Sequence, residues 1–472
     1  MSLIKPSQIA KFAALLAIYL LVVYVIPRPE AVKPEGWRLS GIFFATIGGL
    51  MLQPIPGAAL VLLAVTLTVL CGALTISSAL QGYADSSVWL VVAAFMISRS
   101  LLNTGLARRI ALFFVRAFGK SSLGVSYSLA FSDVVLATII PSNGARSGGV
   151  VLPIVRSIAE LYGSKPGATA SVIGTFLFGS VYQSICISAA MFYTGQASNP
   201  LAADIAGKAG YSITWTSWLV AGIVPGLCSL LVAPFVVRFF LPPVVKHTPE
   251  AAEFARKELT AMGPMSTAEK ILATVFAGVC LGWVTSGTLH KVDITTTALI
   301  GSCILLVSGV LTWEDVKSER SLWDIFIWYG GLVRLGRALN ETGVTEVFAK
   351  NVANLFTGEG WILVFAAALV IYFYAHYAFA SITAHILAMY PPFLAVLLAK
   401  GAPIGLVAYA FATFVNLSAG LTTYGTTPTP MYFAMDYVSM KDWWKVGFFM
   451  SLVNLAIWST IGFAWWKLIG VW

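Results

Sequence analysis

The chain has 472 residues, of which 58% are hydrophobic and only 10% charged, with a net charge of +9. Soluble domains carry about 25% charged residues, so a water-soluble globule is excluded, and apolar runs near the roughly 20 residues of a bilayer-crossing helix point to an all-α polytopic membrane protein. Barrel strands would instead show short alternating segments, and the positive charge needs no nucleic acid partner, because Lys and Arg gather in cytoplasmic loops.

Taken in order, Lys5 and Lys11 precede a first span at residues 11–26, which lacks a cleavage signal and reads as an uncleaved helix. Pro27, Pro29 and Pro34 mark the loop after it, and spans near 38–52, 57–75 and 87–102 follow. Leu106 to Arg116 is amphipathic, with Arg108, Arg109 and Arg116 beside an apolar face, as in a helix lying in the membrane interface. Residues 121–140 stop at Pro141, and apolar sequence resumes at Gly148 and ends near Leu161. Each arm is short for a full crossing, so a re-entrant helical hairpin is expected, with its tip at 141–146. A helix at 168–191 runs into Thr194-Gly-Gln-Ala-Ser-Asn-Pro200, and a span near 216–240 closes the first half.

Residues 242–267 are the longest polar stretch and read as a cytoplasmic linker. The order then recurs: spans near 269–286, 294–312 and 322–339, an amphipathic piece at 344–356, and a hairpin over 361–399 with its tip at 380–385. A helix at 402–424 runs into Gly425-Thr-Thr-Pro-Thr-Pro430, and the last span covers 445–469. The expected domains are thus 1–36 (N-terminal helix and first external loop), 37–241 (first repeat), 242–267 (linker) and 268–472 (second repeat), with about 11 transmembrane helices.

Three sets of residues support the repeat. Arg99 with Thr104-Gly105 recurs as Arg337 with Thr342-Gly343. Ser142, Ala145, Arg146 and Pro153 recur as Ser381, Ala384, His385 and Pro392. Gly195 with Pro200 recurs as Gly425 with Pro430. An odd number of crossings between equivalent points makes the repeats inverted. The charges agree: Arg108, Arg109, Arg116 and Lys120 follow the first Thr-Gly, whereas Glu341, Glu346 and Glu359 surround the second against a single Lys350. The basic copy belongs in the cytoplasm. That places the N-terminus inside and the C-terminus outside, with Arg28, Lys33 and Arg38 as exceptions on the first external loop.

Inverted repeats with interrupted helices are the mark of secondary transporters, whose substrate site lies near the membrane midplane. Ser142 and Ser381 are placed to cap the second arm of each hairpin, which leaves backbone N–H groups free for an anion. Asn143 and Thr383 add side-chain donors, and Asn199, Thr426, Thr427 and Pro428 stand at the helix breaks. Two donor-rich tips facing each other would hold the two ends of a small dianion.

At this point the chain resembles the divalent anion/sodium symporters, carriers of di- and tricarboxylates with paired Ser-Asn-Thr motifs at two hairpin tips. Pro141-Ser-Asn-Gly-Ala-Arg-Ser-Gly-Gly149 is similar to the first motif of the exchanger branch, and Ala380-Ser-Ile-Thr-Ala-His385 to the second. That branch contains the bacterial citrate–succinate and tartrate–succinate antiporters and the plastid oxoglutarate–malate translocators. Thr423-Tyr-Gly-Thr-Thr-Pro-Thr-Pro-Met-Tyr-Phe433 resembles their second helix break. The resemblance implies a homodimer in a bacterial inner membrane, with a mobile transport domain moving elevator fashion and binding carboxylates through the tip residues. It implies no cofactor. Gly144 stands where the family usually has Thr, either enlarging the site or bringing backbone closer. Ile382 stands where sodium-coupled members have Asn, which weakens the case for sodium sites near Ser142, Asn143 and Ser381.

Arg146 and His385 hold equivalent places and read either as fixed charges that neutralise substrate or as, respectively, a snorkelling arginine and a hydrogen-bonded interior histidine. His376 has no repeat partner and reads as interior; Arg99 and Arg337 read as snorkelling. Trp443, Trp444, Trp465 and Trp466 read as interface belts. The five cysteines lie in apolar stretches without metal-like spacing. An intramembrane enzyme would need a nucleophile beside a base or a metal cluster, and neither motif occurs. Exchange is preferred to sodium symport because two uncompensated cations would resist movement of an empty site.

Overall fold

The computed structural model describes residues 6–344, Val347 and residues 360–472. The second amphipathic piece, with Glu346 and Lys350, lies outside the described residues apart from Val344 and Val347, as do Lys5 and Glu359. Every regular element among the described residues is helical. Among the described residues nine helices are long and apolar enough to cross a membrane, against the 11 or so expected of the whole chain. Pro34–Leu52 and Arg320–Glu341 fall short because polar first turns or several charges dilute them, while each expected arm of the second hairpin, Trp361–Ala378 and Ile382–Ala399, qualifies by itself.

The two Thr-Gly sites end their helices in the same way. Ser86–Thr104 and Arg320–Glu341 are each followed by a glycine at φ 81°, Gly105 and Gly343, a left-handed backbone that suits glycine. Thr104 and Thr342 hydroxyls donate back to the carbonyls of Ser100 (2.8 Å) and Ala338 (2.7 Å). The two helices clasp each other reciprocally. Arg99, near the end of the first, pairs with Glu319 at the start of the second at 3.5 Å, and Arg337, near the end of the second, pairs with Asp85, which caps the first. Both arginines, read as snorkelling, stay 33% and 39% exposed and find carboxylates within the protein. Gly57–Leu70 packs on Arg320–Glu341, and Ile294–Val307 packs on Ser86–Thr104.

The basic segment forms the expected helix, Leu106–Phe118, with Leu106, Ala107, Ala111, Leu112 and Val115 buried and Arg108, Phe113 and Arg116 exposed. It leads into Ser122–Ala137, the expected first arm of the first hairpin; helix resumes at Asn143 and runs through a wide turn at Ser147–Val151 into Leu152–Leu161. The tryptophans divide. Trp443 and Trp466 are buried, and their indole N–H groups donate to Thr422 O and Ala221 O at 2.9 Å. They belong to the core, since an indole finds a hydrogen-bond partner when buried; Trp444 and Trp465, the other two of the four, are partly exposed.

Candidate functional site

Both tips are built as capped helix starts. Ser142 Oγ accepts the N–H of Ala145 at 3.1 Å, and Ser381 Oγ accepts that of Ala384 at 3.4 Å. The first intrahelical bonds run from Arg146 N to Ser142 O (3.0 Å) and from His385 N to Ser381 O (3.1 Å). The N–H groups of Asn143 and Gly144, and of Ile382 and Thr383, precede those bonds and stay available at the helix starts.

The helix breaks face the tips. Gly174–Met191 ends before residues 192–198, and the chain restarts at Asn199 with Pro200 in the first turn. Ile404–Ser418 likewise gives way, and the chain restarts at Pro428. Gly195 and Gly425 occupy matching crowded positions. A Cβ on Gly195 would lie 2.5 Å from Ala189 O, and one on Gly425 2.6 Å from Ala419 O. Only glycine lets the chain fold back over the carbonyl six residues earlier.

Tips and breaks meet at one cavity of about 240 Å³. Pockets for drug-sized ligands span roughly 300–1,000 Å³, so this one suits a smaller molecule. Ser142, Asn143, Ser381, Thr383 and Thr427 line it, as expected from sequence. Gln53, Phe95, Ile325 and Trp328 close it from the other helices, and Gln196 and Ser198 enter from the first break. Ser142 and Ser381 each accept a backbone N–H and keep their own hydroxyl hydrogen for a ligand. Thr383 and Thr427 make no side-chain hydrogen bond within the described residues. Among the described residues the lining carries no charged side chain.

The other expected residues stand elsewhere. Asn199 is fully buried and holds the first break together, its amide donating to Ala189 O and Phe192 O (both 2.8 Å) and its oxygen accepting from Asn416 (2.9 Å). Thr426 accepts from Asn143 Nδ2 at 2.9 Å, and Gln196 Oε1 takes the other amide hydrogen at 2.9 Å, so Asn143 locks the first tip to both breaks. Ile382 and Pro428 are buried behind the lining. Gly144 packs against Thr427, where a Cβ would come within 2.8 Å of Thr427 Cγ2. The Thr427 side chain thus fills the place left by the missing one at Gly144.

Arg146 and His385 do not line the cavity, and their expected role as charges beside the substrate is revised. Arg146 is fully buried and pairs with Asp133 at 3.0 Å, while its Nη1 donates to Ile140 O (2.6 Å) and Gly195 O (2.7 Å). Ser188 Oγ also donates to Asp133. His385 Nδ1 lies 3.0 Å from His376 Nδ1, and His376 Nε2 lies 3.0 Å from Gly425 O. His376 is the bonded interior histidine expected of it.

Sequence reading missed Gln196, Ser198, Gln53 and Trp328. The first two lie in the break at 194–200, beside Asn199. Gln53 left one signal, its place directly before Pro54-Ile55-Pro56, and the structure gives it a left-handed backbone at φ 48°. Trp328 is indistinguishable in sequence from the other tryptophans.

The chain matches the family described as the sodium:sulfate symporter transmembrane region over residues 6–472. It is 44% identical over 454 residues to the putative malate transporter YflS of Bacillus subtilis (strain 168), covering 96% of this chain and 95% of that protein. It is 42% identical to the chloroplastic dicarboxylate transporter 1 of Arabidopsis thaliana over 457 residues, covering 96% and 82%. In fold it is similar to the crystal structure of the Alcanivorax borkumensis YdaH transporter, with a TM-score of 0.56 at 13% identity, over 98% of this chain and 99% of that one.

Proposed function

The chain belongs to the divalent anion/sodium symporter family, and from that premise we propose that it exchanges small di- or tricarboxylates across a bacterial inner membrane by an elevator movement. It is a secondary transporter of such anions and not an enzyme. The observation that carries the site assignment is the shared cavity: Ser142, Asn143, Ser381, Thr383 and Thr427, drawn from both halves, line it together. Each tip offers hydroxyls and free N–H groups at a helix start, an arrangement that favours a carboxylate. Gln196 and Ser198 are added to the binding set, and Asn199, Thr426, Pro428 and Ile382 to its support.

The repeats are read as inverted, each carrying a re-entrant hairpin. The reciprocal pairs Arg99–Glu319 and Arg337–Asp85 support this, because they join the end of each equivalent helix to the start of the other. Reciprocity of that kind is what a two-fold relation produces. The helices around Gln53, Phe95 and Trp328 would form the fixed scaffold, and the hairpins and broken helices the moving body. A homodimer, a cytoplasmic N-terminus and an external C-terminus complete the reading.

Exchange is preferred to sodium symport on the strength of Ile382, which puts an apolar side chain in the second tip where sodium-coupled members carry Asn. Arg146 no longer contributes to that preference, since Asp133 neutralises it whether or not substrate is bound. The test is counterflow in liposomes. Labelled succinate should enter vesicles preloaded with an unlabelled dicarboxylate, without sodium, and should not enter empty ones. Uptake into empty vesicles driven by a sodium gradient would identify a symporter instead.

A further inference from the structure

Away from the cavity, the interface helix Leu106–Phe118 lies along the linker helix Pro249–Ala261, and the two run in opposite directions. Their ends are tied. Thr248 N donates to Lys120 O at 2.9 Å at one end, and at the other Arg109 donates to Gly263 O (3.0 Å) and to Glu269 (2.7 and 3.2 Å). That register brings Arg116 opposite Arg256 and Phe113 opposite Leu259. Between the helices is a groove of about 490 Å³ lined by Arg109, Phe113, Arg116, Arg256, Leu259 and Gly263. The cations in it are unequally satisfied. Arg109 is held by a nearly buried glutamate. Within the described residues the one carboxylate that Arg256 meets is Glu253, one turn back on its own helix, in a solvent-exposed pair. Arg116 has no carboxylate partner within the described residues. Beside them Phe113 is 60% exposed.

We propose that this groove binds the headgroup of an anionic phospholipid. Two guanidinium groups facing each other, of which Arg256 has a carboxylate partner and Arg116 has none within the described residues, attract an anion with several acceptor oxygens, and a phosphodiester fits both forks. The exposed phenyl ring next to them takes the first carbons of an acyl chain, which a free phosphate would leave uncovered. An amphipathic helix with arginines on its polar edge is suited to a membrane surface carrying negative lipid. The interface helix leads directly into the first hairpin arm and the linker helix joins the two halves, so a lipid here steadies the corner from which the hairpin projects. The proposal rests on the membrane setting and not on which anion is carried.

The test uses the purified full-length protein. Retention of phosphatidylglycerol and of phosphatidylcholine is measured by native mass spectrometry in the wild type, in the Arg116→Gln/Arg256→Gln double variant and in Phe113→Ser. Arg156→Gln, another exposed arginine, serves as control. Phosphatidylglycerol should be retained selectively, bind about thirtyfold more weakly in the double variant for two lost charges, and be unchanged in Arg156→Gln. Phe113→Ser should weaken lipid while leaving inorganic phosphate binding as it was. Equal retention in the double variant would overturn the proposal. Inorganic phosphate displacing the lipid at equal concentration would also overturn it and make the groove a site for free anions.

Discussion

Four residues after Ser142 stands Arg146; four residues after Ser381 stands His385. Each ends up serving the carbonyl of the glycine in its own helix break, but by different chemistry. At the first tip one long side chain reaches Gly195 O directly, and Asp133 supplies the countercharge. At the second the imidazole is too short, and His376 relays the contact to Gly425 O. Asp133 lies nine residues before Ser142, and nine residues before Ser381 stands Tyr372, whose ring centre is 4.4 Å from that of His385. Among the described residues the second clasp contains no carboxylate. His376 donates from Nε2 to Gly425 O, so in the neutral pair its Nδ1 accepts the proton on His385 Nδ1, and His385 Nε2 is left without a partner. What the two halves share is the need to satisfy a buried carbonyl where the helix is broken; whether a charge does it differs between them.

The comparison predicts unequal damage. Arg146→Ala leaves the fully buried Asp133 unpaired, a loss of about 3–5 kcal/mol, and should abolish exchange and sharply lower the thermal midpoint. Arg146→Met with Asp133→Asn should recover much of that stability. His385→Phe keeps the ring and strands only His376 Nδ1, a loss of about 1–3 kcal/mol. Equal destabilisation by the two single variants would break the contrast.

Gly144 and Thr427 sharpen it from the ligand side. Gly144→Ala should weaken succinate binding, because its Cβ would meet Thr427 Cγ2. Thr427→Ser, which removes that methyl and keeps the hydroxyl, should restore binding when combined with it. The double-mutant cycle should show coupling of about 0.5–3 kcal/mol, whereas additive losses would mean that the two do not share a space. The smallest energetic effects are expected at the helix ends. Cysteines introduced as Arg108→Cys and Val344→Cys should leave stability almost unchanged yet react with an impermeant thiol reagent from opposite sides of the membrane. Reaction from the same side would contradict the inverted arrangement.

Much of this was legible in the sequence because the relevant signals are local. The capping serines, the Thr-Gly stops and the breaks at Gly195 and Gly425 each depend on a few neighbouring residues, and the structure places them as read. Partnership across the fold was not legible. Nothing near Arg146 in sequence announces Asp133 as its counter-ion, since the two are brought together by a hairpin. The counter-ions of Arg99 and Arg337 were equally hidden, because Glu319 and Asp85 lie far away in the chain. Asn199 and Gln196 are both amides in one short break, and only the packing decides which faces the cavity.

The central claim is that one dicarboxylate is held by both tips at once. Purified protein with saturating succinate should show a raised thermal midpoint, since a ligand that binds the folded state stabilises it by mass action. In Ser142→Leu and in Ser381→Leu that rise should disappear, while the midpoint without ligand falls by no more than the loss of one helix cap, about 1 kcal/mol, accounts for. Loss of the succinate effect in only one of the two variants would mean that the anion sits at a single tip, and the shared site would be wrong.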